Sequence, residues 1–134
     1  MKRRSDGLGC DKSTKVLLGD SMGELMSYYS VCDIAFLGGS LIDTGGQNML
    51  EAAASSKPIL FGPSVFNFEQ IAHLLLEKDA AIQVDDADDL MKTISNLLLD
   101  DTEREKLGEN AKNLFEKNRG AVDRLMKLII PNIR

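Results

Sequence analysis

Three short stretches carry most of the groups that could meet a ligand. They are Gly19-Asp20-Ser21-Met22-Gly23-Glu24, Gly38-Gly39-Ser40-Leu41-Ile42-Asp43-Thr44-Gly45-Gly46-Gln47-Asn48, and Gly62-Pro63-Ser64-Val65-Phe66-Asn67-Phe68. Seven of the 11 glycines lie between Gly19 and Gly62. Paired glycines let the main chain take positive φ and approach a ligand closely, and a helix that begins at Gly45 or Gly46 points its free N–H groups at whatever sits there. A phosphate fits that description. Asn48 and Glu51 lie three residues apart, on one face of the same helix. A carboxylate there accepts from both hydroxyls of a ribose, and an amide bridges to the adjacent oxygen or phosphate.

Purely structural readings compete at each position. Ser21-Met22-Gly23-Glu24 and Thr44-Gly45-Gly46-Gln47 both have the spacing of a capping box, which accounts for Ser21, Glu24, Thr44 and Gln47 with no ligand. Glu51 in a first helical turn stabilises the helix dipole by about 0.3–1 kcal/mol. Capping does not ask for four glycines between Gly38 and Gly46, and their cost in chain entropy favours a ligand site. His73 sits among Ile71, Leu74, Leu75 and Leu76 and reads as a packed or partly exposed histidine. Asp85-Asp86-Ala87-Asp88-Asp89 lies where an N-cap and acidic first turn belong. Phe66 and Phe68 could cradle a base, but the spacing favours stapling the next helix. No GxGxxG, P-loop, GxSxG or HExxH motif occurs.

The elements that must position these loops follow from the apolar pattern. Short apolar runs ending in Gly, Asp or Ser alternate with helix-period stretches, the rhythm of a parallel βα sheet. Strands are expected at 16–18, 34–37, 58–61 and 81–84, continuously apolar as if covered on both faces. Helices are expected at 22–31, 46–55 and 67–78, and the C-terminal third is helical. Asp100-Asp101-Thr102 and Asn118-Arg119-Gly120 separate its helices and Pro131 ends it. The fold class is therefore α/β, a doubly wound parallel sheet of about four strands, with ligands beyond the carboxyl ends of the strands. Residues 15–134 are expected to form one Rossmann-like domain, whose reading as a nucleotide-sugar-binding domain rests on the resemblance described below. Residues 1–14 read as a flexible basic arm or the remnant of a further βα unit.

Composition narrows the function. The chain has 134 residues, 43% hydrophobic and 28% charged, and no apolar run approaches the roughly 20 residues of a membrane span. The net charge of -5 divides into +3 over residues 1–15 (five Lys/Arg against two Asp/Glu) and -8 over the rest (11 against 19). The acidic body argues against nucleic-acid binding. Cys10 and Cys32 lack CxxC spacing, and a single histidine argues against a zinc or haem site. Polar Ser5–Gly9 after the basic start leaves no export signal, consistent with reduced cysteines in the cytosol.

At these same loops the sequence resembles the C-terminal half of the bacterial 3-deoxy-D-manno-octulosonic acid (Kdo) transferases, enzymes of the GT-B fold. The resemblance runs through Val16–Leu25, Asp33–Leu41, Gly45–Ala54, Pro58–Pro63 and Phe66–Phe68, covering nearly the whole chain from Arg3. The GDSMGEL, GGS and GGQNxLEAA stretches in this order and spacing are specific. The resemblance implies transfer of Kdo from CMP-Kdo to a lipid A precursor, with inversion and without a metal or other cofactor, at the cytoplasmic face of the inner membrane. Carried over, Ser21, Met22, Gly23 and Glu24 lie near base and ribose. Gly38, Gly39 and Ser40 run along phosphate and sugar, and Gly46, Asn48 and Glu51 meet phosphate and ribose. A CMP-sugar has one bridging phosphate, so a helix N-terminus can stabilise departing CMP without Mg²⁺.

The resemblance also implies parts not found in these residues. The family's catalytic base is a Glu in an N-terminal domain, which also meets the acceptor and the membrane. These 134 residues alone are therefore expected to be soluble and not to catalyse transfer. Arg3-Arg4-Ser5 reads as the tail of a strand, and strands 16–18 and 34–37 are expected to pair directly. Other readings are a UDP-sugar-dependent GT-B domain and a non-catalytic nucleotide-binding module.

Overall fold

The computed structural model describes residues 1–117 and 119–129. In chain order the elements are β1 (Lys2–Arg3), a 3-10 turn (Arg4–Asp6), β2 (Leu17–Leu18), α1 (Leu25–Val31), β3 (Ala35–Phe36), α2 (Leu50–Ala54), β4 (Ile59–Phe61), α3 (Glu69–Glu77), β5 (Ala81–Gln83), α4 (Ala87–Leu98), α5 (Asp101–Lys117) and α6 (Arg119–Ile129). Asn118 and Pro131, expected as helix breakers, lie outside the described residues.

The apolar run at Ile59-Leu60-Phe61 becomes the central strand. β4 runs parallel to β3, with Ala35 beside Ile59, and to β5, with Phe61 beside Gln83. Alternate side chains of a strand face opposite sides, and both sides are covered. Ile59 and Phe61 pack with Met49, Ala53, Ile71, Leu75 and Ala111, whereas Leu60 packs with Leu97 and Leu107. All three β4 side chains are fully buried, each worth about 1.5–3 kcal/mol in water-to-core transfer.

Local chemistry sets the helix ends. The Asp86 side chain accepts from Asp89 N–H at 2.8 Å while Asp89 accepts from Asp85 N–H at 2.9 Å, so the acidic run caps α4. α3 closes with Asp79 at φ 52°, Ala80 N–H donating to the Leu75 carbonyl and Asp79 N–H to that of Leu76, a Schellman ending.

Three expectations need correction. Strand 16–18 does not pair with strand 34–37. β2 pairs in parallel with β1, Lys2 beside Leu17, in a two-stranded sheet apart from β3-β4-β5. The ladder of β2 is taken up by β1, with Lys2 N–H donating to the Val16 carbonyl at 2.9 Å, whereas β3 pairs with β4. Nor is β2 covered: Leu17 is 42% and Leu18 44% exposed. Finally, the helix expected from residue 46 starts at Leu50, because Gly45 and Gly46 at φ 88° and 80° are in the left-handed region that ends helical geometry.

Candidate functional site

The first loop leaves β2 at Gly19 and enters α1 after Glu24. Asp20 accepts from the Ser5 main-chain N–H at 2.8 Å and the Ser5 hydroxyl at 2.5 Å, and these bonds hold its carboxyl below the usual carboxylate range. The Ser21 hydroxyl lies 3.0 Å from that of Tyr28. Glu24 stands at the N-cap position, yet its side chain makes no cap bond and instead accepts from Arg4 Nε at 3.0 Å. The capping box that the spacing of Ser21–Glu24 allows does not form. At the tip, Met22 is almost fully exposed and Gly23 has φ 77°.

The second loop leaves β3 and folds onto the third. Ser40 is fully buried; its hydroxyl donates to the Leu37 carbonyl at 2.6 Å and accepts from Gly62 N–H at 2.8 Å. Thr44 donates to the Gly39 carbonyl at 2.6 Å, so it caps no helix either. Gly45 N–H donates to the Ser64 hydroxyl at 3.0 Å and Gly46 N–H to the Gly39 carbonyl at 3.1 Å. These two amides are spent inside the protein and do not point at a phosphate. Their glycines serve close packing: a Cβ on Gly45 would lie 2.6 Å from the Phe66 ring, and one on Gly46 3.2 Å from the Ser64 carbonyl. Gly38, by contrast, is exposed and nothing lies within 4 Å of its Cβ position.

Asn48 precedes α2, and its side-chain oxygen accepts from Leu50 N–H at 3.1 Å. Glu51 follows in the first turn of that helix. Although they do not share a helix face, both line a cavity of about 350 Å³ with Met26, Leu50, Ala54, Phe115 and Asp123. Burial, and then the charge of Glu51, raises the Tyr29 hydroxyl pKa. A cavity of about 410 Å³ near Lys78, Asn110 and Lys117 contains none of the expected site residues. His73 is exposed, 3.8 Å from Glu77. Among the described residues no cluster of three His, Cys, Asp or Glu could hold a metal, and no helix is long and apolar enough to cross a membrane.

Sequence reasoning missed Tyr28, Met26, Phe115 and Asp123. Tyr28 was detectable, since it falls one helical turn after Glu24. Phe115 and Asp123 come from α5 and α6, whose docking near α2 no local pattern announces.

The family model for glycosyl transferases group 1 matches residues 1–114. The chain belongs to that family. It is 42% identical over 130 residues to the 3-deoxy-D-manno-octulosonic acid transferase of Haemophilus influenzae, covering 96% of this chain and 30% of that protein. It is 36% identical over 125 residues to the enzyme of that name from Bordetella pertussis, covering 92% of this chain and 29% of that one. The chain thus spans under a third of these relatives' length. A solved structure, the C-terminal CMP-Kdo binding domain of WaaA from Acinetobacter baumannii, matches with TM-score 0.80 and 34% identity, over 84% of this chain and 59% of that one. The resemblance carried by GDSMGEL, GGS and GGQNxLEAA is thus homology to Kdo transferases, and the group 1 fold is that of a GT-B C-terminal domain.

Proposed function

We propose that this chain is the donor-binding part of an inverting glycosyltransferase that moves Kdo from CMP-Kdo to a lipid A precursor in lipopolysaccharide biosynthesis. The observation that carries this reading is the cavity shared by Asn48 and Glu51, in a chain whose fold matches that of a CMP-Kdo binding domain. Glu51 accepts from the ribose hydroxyls. Asn48 has its oxygen committed to Leu50, which leaves its N–H₂ group to donate to a phosphate oxygen. Gly38 gives phosphate and sugar an open, side-chain-free rim, and Gly39, left-handed and packed against the Thr44 hydroxyl, turns the chain behind it. Ser40 and Gly46 act from beneath by fixing that rim, while Ser21, Met22, Gly23 and Glu24 border base and ribose.

Inversion places the attacking hydroxyl opposite the departing CMP, with a general base on the acceptor side. In Kdo transferases that base is a Glu of the N-terminal domain, outside these 134 residues. Contact with the acceptor and with the inner membrane's cytoplasmic face belongs to the same domain. This chain binds and orients the donor and holds the cytidylate as it leaves; alone it does not catalyse transfer.

Titrating the ¹⁵N-labelled chain with CMP, CDP and UDP tests the proposal. CMP is expected to shift amides at Ser21–Glu24, Gly38–Ser40 and Gly46–Glu51 at the lowest concentration, and Glu51→Ala to weaken that response about tenfold without unfolding. A preference for UDP would move the reading to a UDP-sugar transferase. No shift at millimolar nucleotide would refute donor binding.

A further inference from the structure

We infer that Tyr28 is a positioning residue for the donor loop, holding Gly19–Glu24 in one shape, and that residue 19 is glycine in order to let it do so. The inference rests on the reading of Ser21–Glu24 as part of the donor site.

One side chain meets the loop at its start, and again at its middle, from an anchor at its end. Tyr28 lies in the first turn of α1, and its main-chain N–H donates to the Glu24 carbonyl at 3.2 Å, so its base is fixed to the end of the loop. Its hydroxyl reaches the Ser21 hydroxyl at 3.0 Å, in the middle. Its ring lies over the start: a Cβ on Gly19 would stand 2.8 Å from ring Cζ and 2.9 Å from Cε2. Gly19 is not among the positive-φ glycines, so its backbone would accept alanine, and it is the Tyr28 ring that would have to move aside to admit the methyl group.

The neighbouring tyrosine shows that Tyr28 is not simply core. Tyr29 packs against the main hydrophobic cluster, whereas Tyr28 is half-buried and does not join it. The other side-chain ties of the loop are its exposed bonds to Arg4 and Ser5. A loop with an exposed Met22 at its tip and a left-handed Gly23 has much freedom to lose on binding. A brace that removes that freedom beforehand raises affinity by preorganisation, with no contact of its own to the ligand.

The test compares the wild-type chain with Tyr28→Phe and Gly19→Ala, reading ¹⁵N heteronuclear NOEs, melting temperature and CMP affinity. Tyr28→Phe removes one hydroxyl. It is expected to lower the NOEs of Ser21, Met22 and Gly23, leave those of β4 unchanged, keep the melting temperature within about 2 °C, and weaken CMP binding about three- to tenfold. Gly19→Ala should loosen the same residues although Tyr28 and Ser21 both remain. In a Ser21→Ala background, Tyr28→Phe should have no further effect on loop order. Wild-type NOEs at Ser21–Gly23 in both variants would overturn the inference, as would a fall in melting temperature with loop order unchanged. Should the wild-type chain fail to bind CMP, the donor reading fails, and the NOEs still decide whether Tyr28 holds the loop.

Discussion

Ser40 and Asp20 use hydrogen bonds to opposite ends, one to join two loops from within and the other to tie a loop from outside. Ser40 is the buried polar side chain among the described residues, and its hydroxyl serves both the Leu37 carbonyl and the Gly62 N–H. Ser40→Ala leaves Gly62 N–H buried without its acceptor, which costs about 1–3 kcal/mol. Urea denaturation should show that loss, whereas Ser95→Ala, on an exposed helix position, should stay within about 0.5 kcal/mol of wild type. The resemblance to Kdo transferases put Ser40, after its two glycines, along phosphate and sugar. Those same glycines allow the hydroxyl to face in or out, so its inward direction was not legible. Asp20 is fully exposed, and its Ser5 bonds depress its pKa in the folded chain. A depressed carboxylate supports the fold fully above its unfolded value, near 3.8, and loses that support as pH falls through the lower folded value. The carboxyl of Asp20 should therefore titrate by NMR below 3.8, with the Ser5 amide following it, and the tie should be intact at neutral pH. A midpoint at or above 3.8 would show that the bonds to Ser5 are not formed in solution.

At the next scale, the glycine-rich stretch and the packing of α5 show what periodicity can and cannot report. The apolar run of β4, the acidic cap of α4 and the period of α3 were readable because each is written in contiguous residues. The start of α2 was not. Thr44-Gly45-Gly46-Gln47 satisfies the spacing of a capping box, and only the left-handed turn at Gly45 and Gly46, with the third loop packed against Gly45 through Phe66 and Asn67, shows why the helix waits until Leu50. Gly108 presents the same problem inside a helix. On propensity alone, alanine there should stabilise α5 by about 1 kcal/mol. But a Cβ would lie 2.2 Å from the Ser56 carbonyl oxygen, a main-chain atom in the turn after α2, itself held at φ 60°. Overpacking of that kind costs about 1–3 kcal/mol and wins over propensity. Gly108→Ala should lower the melting temperature, and Gly120→Ala, where nothing lies within 4 Å, should not. A rise in stability for Gly108→Ala would mean that α5 can slide away from the turn.

Across the whole molecule, the two sheets differ in what holds them. β4 is buried on both faces between β3 and β5, whereas β2 exposes both its residues and the β1 pairing spans two residues on each strand. The sequence made both strands look alike, because Val16-Leu17-Leu18 and Ile59-Leu60-Phe61 are equally apolar. Apolar content tells which residues would pack if covered, and the cover is a property of the assembled chain. Opening free energies in a native protein range from near zero to the global value, and they follow buried contact. Main-chain amides of Leu60 and Phe61 should therefore exchange with solvent only on global unfolding. Those of Lys2 and Leu18 should exchange through local opening, faster by roughly a hundredfold or more after correction for intrinsic rates. The first loop is tied to the weak pair through Asp20–Ser5 and Glu24–Arg4, and Asp20 N–H donates to the Leu18 carbonyl, so the amides of Ser5 and Asp20 should lose protection together with β1 and β2 while β4 stays protected. On the proposed donor role, CMP should slow that local exchange, since a ligand stabilises the state it binds, and should slow β4 by no more than its effect on global stability. Equal exchange rates for the two sheets would show that they unfold as one unit and that the first loop is braced by the whole fold.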